Sequence, residues 1–470
     1  MSATATTEKK YLKWYQKLAY GSGDLASNCS YGLVSSFVLL YLTGTLGLDS
    51  AIIGSLMLAS KVLDGISDVI FGTLIDRTHS KLGKARPWML FGQVGVSLCL
   101  FLLFAIPAGS TTMQYIYFFI VYTALNAVFY TANGIAYSSL VALITKNNNE
   151  RVQLGSFRFM FAVVTNIFMG FAVTGMVEKF GSGAAGWRTT ALIFAIVGLV
   201  VNTISCLAVK ELPEEELSGN TSEAAEEGKA VAEEKKHGFA ETAKILVHNK
   251  YYLMILAIYI VYYIMSNLTT GAGVFCATYY WGDGSLLGQF SMMKMFPVII
   301  ALAIAPVLIK KTGSMQKVNF WGYAISSVLG IPMIYFAMQK NLSMFLLFMF
   351  IKGIFAGTLS GSLNALIAEA SGYTTRTTGI HMDGMMYSCS SLGVKVGGGI
   401  GTAAVGWLLK LGGFVGTATV QSESAIRMIF NLYITFPFVI GIIITVLLAF
   451  LDVEKANKKW DAEHKKEAKA

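Results

Sequence analysis

The chain has 470 residues, 54% hydrophobic and 13% charged, with a formal net charge of +9 and a mean hydropathy of +0.59. Soluble chains carry about 25% charged residues, so this composition excludes an ordinary soluble domain and a singly anchored one. It indicates a polytopic membrane protein in a lipid bilayer.

The positive balance does not indicate a nucleic acid partner. The basic residues are spread among short loops and both tails, where anionic lipid accounts for them. Cys29, Cys99, Cys206, Cys276 and Cys389 lie singly inside apolar segments. They show no metal-ligand spacing, and their odd number argues against a disulfide framework.

The N-terminus, MSATATTEKKYLKW, is polar and basic and reads as a cytosolic lead-in. Runs of about 20 apolar residues cross a hydrocarbon core of about 30 Å. Such runs predict helices near 18–43, 50–75, 87–107, 114–141, 154–178 and 187–209. A second set falls near 250–280, 287–309, 318–339, 342–369, 379–410 and 426–451. The second helix holds Lys61, Asp64 and Asp68, spaced three and then four apart, so all three side chains share one face. A carboxylate at bilayer depth costs roughly 3 kcal/mol even on the lenient insertion scale. The pair must therefore face a protein-lined or watery cavity. One-turn spacing lets both carboxylates lend oxygens to a single small cation, with Lys61 near enough to exchange with it.

Between the two sets, Glu211 to Glu241 is rich in Glu, Ala and Lys and cannot bury a core. The expected division is a six-helix bundle at 1–210, a charged cytosolic linker at 211–247, a second six-helix bundle at 248–452 and a basic cytosolic tail at 453–470. The loops agree on orientation. Those after helices 2, 4, 6, 8 and 10 are basic or charged, whereas those after helices 1 and 3 contain no Lys or Arg. Both termini are then cytoplasmic. The expected fold is an all-α membrane protein of twelve transmembrane helices in two six-helix halves, the major facilitator plan, with a midplane site. A faint repeat agrees with it: LIKKTGSMQK after helix 8 is a degenerate copy of GTLIDRTHSKLGK after helix 2.

Ordered motifs now become specific. Tyr20-Gly21-Ser22-Gly23-Asp24 opens helix 1, and Leu63-Asp64-Gly65-Ile66-Ser67-Asp68 lies in helix 2. Asp76-Arg77-Thr78 and Gly83-Lys84-Ala85-Arg86-Pro87-Trp88 follow, then Arg151-Val152-Gln153-Leu154 with Ser156 and Arg158, and Gly384 through Tyr387 to Lys395. Together these resemble the glycoside–pentoside–hexuronide:cation symporters, the melibiose-permease family, over nearly the whole chain. The resemblance implies secondary transport of a sugar or sugar conjugate with co-transported Na⁺ or H⁺ and no other cofactor. It places the cation on Asp64 and Asp68 with Thr131 assisting, and matches Arg158 and Lys395 to the family's helix 5 arginine and helix 11 lysine. The family's sugar-binding carboxylates fall on Asn28 and on Asn133 or Gly134, which implies amide recognition of hydroxyls and a specificity unlike melibiose.

Residue types add candidates. Asp24, early in helix 1, is placed to pair with a basic residue or to cap the helix start. Tyr31, Tyr130, Tyr137, Asn267, Asn364 and Tyr387 offer the rings and amides that sugar sites use. Gly393, Gly397 and Gly401 recur at four-residue spacing and read as a stripe for close helix packing, with sliding between the halves. No catalytic or nucleotide motif stands out, so no enzyme is expected. The reading is a sugar:cation symporter of a bacterial-type inner membrane. The rivals are a major-facilitator-type carrier of a non-sugar solute or lipid, or a non-transporting sensor; the Lys–Asp cluster disfavours the lipid carrier.

Overall fold

Short polar residues just ahead of the apolar runs start the helices. The side chain of Asp49 accepts from the N–H groups of Ala51 and Ile52, and Ser110, Asn147 and Asn341 do the same for later helices. A computed structural model describes residues 9–213, 216, 245–380, 383–418 and 420–467, and among these it is all-helical. We label α1 Trp14–Thr45, α2 Ser50–Asp76, α3 Arg86–Leu103, α4 Thr111–Ile144, α5 Asn148–Lys179 and α6 Gly183–Leu207. Then come α7 Lys250–Tyr280, α8 Leu286–Thr312, α9 Met315–Met338, α10 Leu342–Thr378, α11 Gly384–Leu411, α12 at 423–450 and α13 Val453–Glu467. Gly379, at φ 70°, ends α10 in the left-handed conformation that glycine adopts without strain.

Eleven helices among the described residues are long and apolar enough to cross a membrane. The sequence predicted twelve. The one outside the eleven is α2, the helix that carries Lys61, Asp64 and Asp68. The five cysteines are buried free thiols.

The chain divides into two units. The first comprises Met1–Gly219, Asp283–Gly288 and Leu409–Ser422; the second comprises Asn220–Gly282, Gln289–Leu408 and Glu423–Ala470. In the first, Tyr20, Met89, Ala136, Tyr137, Leu140 and Cys206 share a buried cluster. In the second, Tyr251, Ile255, Tyr259, Leu363, Leu366 and Leu448 do. Added Cβ atoms on Gly393, Gly397 and Gly401 would collide with Tyr259 and with the carbonyl oxygens of Ile260 and Ile264. The glycine stripe is thus where α11 lies against α7, the close packing its spacing predicted, and this contact is made within the second unit rather than between the halves.

The faint repeat appears in the structure as one capping device used twice. In the first unit the Glu211 carboxylate accepts from the N–H groups of Lys84, Ala85 and Arg86, at 2.7, 2.9 and 3.1 Å, at the start of α3. In the second unit Glu454 accepts from the N–H groups of Met315 and Gln316, at 2.8 and 3.1 Å, and from the Ser314 hydroxyl, at the start of α9. Each acid follows the last membrane helix of its half and answers N–H groups that an α-helix leaves unpaired.

This corrects the expected linker at both ends. Glu211 is a folded cap, and Leu246 is 4% exposed in the second unit's core. The remainder of that stretch, 214–215 and 217–244, lies outside the described residues. Glu211→Ala should destabilise the detergent-solubilised protein by about 2 kcal/mol, with a smaller loss for Glu211→Gln. The thermal unfolding midpoint checks it; a midpoint equal to wild type would deny the cap an energetic role.

Candidate functional site

The charged face of α2 meets α4. Asp64 is 9% exposed. The Thr131 hydroxyl donates to its Oδ1 at 2.6 Å, and Lys61 Nζ stands 3.4 Å from its Oδ2. Asp68, one turn further along α2, is half-buried. Thr131 reaches Asp64 because the preceding turn of α4, Ala124–Tyr130, is wound as a π-helix. The wider turn brings its hydroxyl within 2.9 Å of the Asn126 carbonyl oxygen, five residues back, as well as onto Asp64. Tyr31 of α1 stacks on Tyr130 with ring centroids 5.5 Å apart, and Lys61 Nζ lies 6.0 Å from the Tyr31 centroid. A carboxylate, a hydroxyl, an ammonium and two rings therefore adjoin.

A second group joins α1, α4 and α5. Arg158 Nε donates to Asp24 Oδ2 at 2.6 Å, and the guanidinium lies 4.1 Å from the Tyr137 ring centroid. Tyr137 is 2% exposed and its hydroxyl donates to the Tyr20 carbonyl oxygen at 2.7 Å. Asn28 Nδ2 donates to the Asp24 carbonyl oxygen at 2.7 Å, and Asn166 Nδ2 donates to Asn28 Oδ1 at 2.9 Å. Asn28 is half-buried.

Asn133 is placed differently from the expected sugar contact. It is 3% exposed, and its amide donates to Gln93 Oε1 of α3 at 2.7 Å. The pair satisfies one atom of each buried amide, while Asn133 Oδ1 and Gln93 Nε2 have no hydrogen-bond partner among the described residues. Its neighbour Gly134 has open space around it.

Residues 19–455 match the profile of the MFS/sugar transport protein family. The chain belongs to that family. It is a glycoside–pentoside–hexuronide:cation symporter member of the major facilitator superfamily, and a transporter rather than an enzyme. The chain is 26% identical to an isoprimeverose transporter of Lactiplantibacillus pentosus over 459 residues, covering 97% of this chain and 92% of the relative. It is 24% identical to the inner membrane symporter YicJ of Escherichia coli over 426 residues, covering 90% and 88%. Among solved structures it is similar to a bacterial homolog of the human lysosomal transporter Spinster, with TM-score 0.69 and 13% identity, over 95% of this chain and 98% of that one.

The transporter's remaining predicted residues lie in its second unit. Lys395 of α11 is half-buried, and Tyr387 is 41% exposed. Asn364 of α10 is exposed, its Oδ1 accepting from the Tyr259 hydroxyl at 2.8 Å. Asn267 of α7 turns its amide back onto the Tyr263 carbonyl oxygen at 3.0 Å.

Sequence reasoning missed Asn166 and Gln93, each an amide in an apolar helix. Asn166 lies two turns beyond Arg158, and that spacing was the available signal. It also missed Lys294 of α8 and Lys352 of α10, each charged within an apolar run.

Proposed function

We propose that the protein is a cation-coupled sugar symporter of a bacterial-type inner membrane. It has twelve membrane helices in two six-helix halves, both termini in the cytoplasm, and works by alternating access. The division into 1–210, 211–247, 248–452 and 453–470 belongs to this reading, with Glu211 and Leu246 moved into the folded halves. The single observation that carries the proposal is Asp64, a membrane carboxylate supplied with the Thr131 hydroxyl at 2.6 Å and the Lys61 ammonium at 3.4 Å.

A lone carboxylate at this depth is costly, and Lys61 offsets its charge while no ion is bound. An arriving Na⁺ or H⁺ competes with Lys61 for the same oxygens, and Asp68 offers a second carboxylate one turn away. Tyr31 and Asn28, beside these charges, serve the sugar from the first unit. Tyr387 and Asn364, on the second unit, are further sugar candidates of this reading, and Lys395 is a charge-network candidate. Arg158 and Asp24 join α5 to α1 within the first unit. The names of the two relatives support a sugar cargo, symport and an inner-membrane location. Coupling then requires that each ligand bind the other's complex more tightly than the empty carrier.

The test is uptake into right-side-out vesicles of radiolabelled galactosides, glucosides, pentosides and glucuronides. Each is run with a sodium gradient, with a proton gradient and with neither, beside an Asp64→Asn, Asp68→Asn double variant. The expected result is gradient-driven accumulation of one sugar class, lost in the variant. No accumulation under either gradient by folded, inserted protein would refute the symporter reading. Accumulation unchanged in the variant would refute the cation site alone.

A further inference from the structure

The second unit holds two lysines that the cation site does not use. Lys294 stands about 12 Å along α8 from its start and Lys352 about 15 Å along α10. Both lie inside the apolar, membrane-length run of their helix. The two helices touch at this level. A Cβ on Gly353 would lie 2.8 Å from Pro297 Cβ and 3.6 Å from the Met293 carbonyl oxygen. Those residues neighbour the two lysines in sequence, so the ammonium groups belong to one level of the bundle.

Both lysines line a single cavity of about 180 Å³, formed entirely by residues of the second unit. One water needs roughly 10–15 Å³ of such space, so the cavity admits a small organic solute. Lys294 Nζ donates to the Thr270 hydroxyl at 3.1 Å. Lys352 makes no ion pair or hydrogen bond among the described residues, and no carboxylate among them pairs with either lysine. The Tyr323 hydroxyl, on a side chain 2% exposed that lines the same cavity, has no hydrogen-bond partner among the described residues. Tyr262 and Ser360 add a hydroxyl pair at 2.8 Å. Met265, Met293, Met333 and Met349 also line it, side chains that adapt to the apolar parts of a solute.

Two ammonium groups and a phenol thus converge on one space as donors without an anionic acceptor. Buried charges are paired in stable structures, and ammonium–carboxylate contacts are strong where water is excluded. A cation is repelled here, and a neutral sugar leaves the charges uncompensated. We propose that this pocket binds the acid group, a carboxylate or sulfonate, of an organic anion carried as cargo, so that the transporter selects acidic solutes over their neutral counterparts. The inference rests on the transport reading above and names the class of cargo within it.

The test is equilibrium binding to the purified full-length protein in detergent, read by ligand-induced thermal shift and by titration calorimetry. The ligands are matched pairs, glucuronate with glucose, galacturonate with galactose and methyl glucuronide with methyl glucoside; chloride and phosphate are separate arms. At least one acid is expected to bind about tenfold more tightly than its neutral partner. That preference should vanish in Lys352→Gln and in the Lys294→Gln, Lys352→Gln double variant, and return in Lys352→Arg.

Neutral sugars bound as well as or better than every acid would overturn this inference and leave the transport reading standing. So would an acid preference that survives in the folded double variant. Chloride or phosphate bound in a lysine-dependent way, with no organic acid competing, would overturn the cargo assignment in favour of an inorganic anion. Binding of no sugar of either charge would overturn both readings. Should a variant fail to fold, the matched pairs on the wild type still decide.

Discussion

Replacing Asp64 with Asn should abolish gradient-driven accumulation, leaving the labelled sugar no more than equilibrated across the membrane. An amide keeps the size of the carboxylate and still accepts from the Thr131 hydroxyl, 2.6 Å from Oδ1. It carries no charge for a cation to bind, and Lys61, now 3.4 Å from the carboxylate, loses its partner. Thr131→Val removes only the hydroxyl. The loss of one hydrogen bond to a charged group corresponds to about 1.5 kcal/mol, or roughly tenfold in the cation concentration that half-saturates uptake. The pair of variants separates charge from hydrogen bonding: the first ends coupling, the second weakens ion binding with coupling intact. Full accumulation in Asp64→Asn would remove this carboxylate from the cation site. A half-saturation unchanged in Thr131→Val would remove the α4 hydroxyl.

The second large effect is expected at Arg158. Its guanidinium is held by Asp24 at 2.6 Å and by the face of Tyr137, with the two charged side chains 26% and 18% exposed. Breaking a fully buried pair by removing one partner costs about 3–5 kcal/mol, and residual solvation here reduces that to about 2–3 kcal/mol. Arg158→Met should therefore lower the unfolding midpoint clearly and slow uptake, because Asp24 is left uncompensated. Adding Asp24→Asn removes the orphaned charge and should recover a large part of the stability. Midpoints for the two single variants and the double form a cycle whose coupling is expected at about 1–3 kcal/mol. Additive losses would mean that the two charges do not depend on each other in the folded protein.

Local spacing explains which of these features were legible beforehand. Lys61, Asp64 and Asp68 share a face because a helix repeats every 3.6 residues. The glycine stripe of α11 marks its contact with α7 for the same reason. Asn133 shows the limit. Its position in the family's motif pointed to sugar, but whether it turns to a cavity or to α3 depends on how α3 packs, and Gln93 accepts its amide. Glu211 is a similar case. Its surroundings are compositionally a linker, yet its carboxylate caps a helix that begins 125 residues earlier.

The sequence by itself determined that this chain lives in a membrane, where its apolar runs begin and end, that α2 carries charges needing a polar environment, and which family its motifs resemble. Each of these is written in composition, in periodicity or in residues close together along the chain. Only the tertiary structure decided which groups meet. It put Thr131 on Asp64 across 67 residues, Arg158 on Asp24 across 134, Asn166 on Asn28 across 138, and Lys294 and Lys352 around one cavity. An apolar helix reads alike whichever neighbour it packs against, so the partner of a buried polar side chain is set by helix packing and by turns such as the π segment ahead of Thr131, which no one-dimensional pattern records.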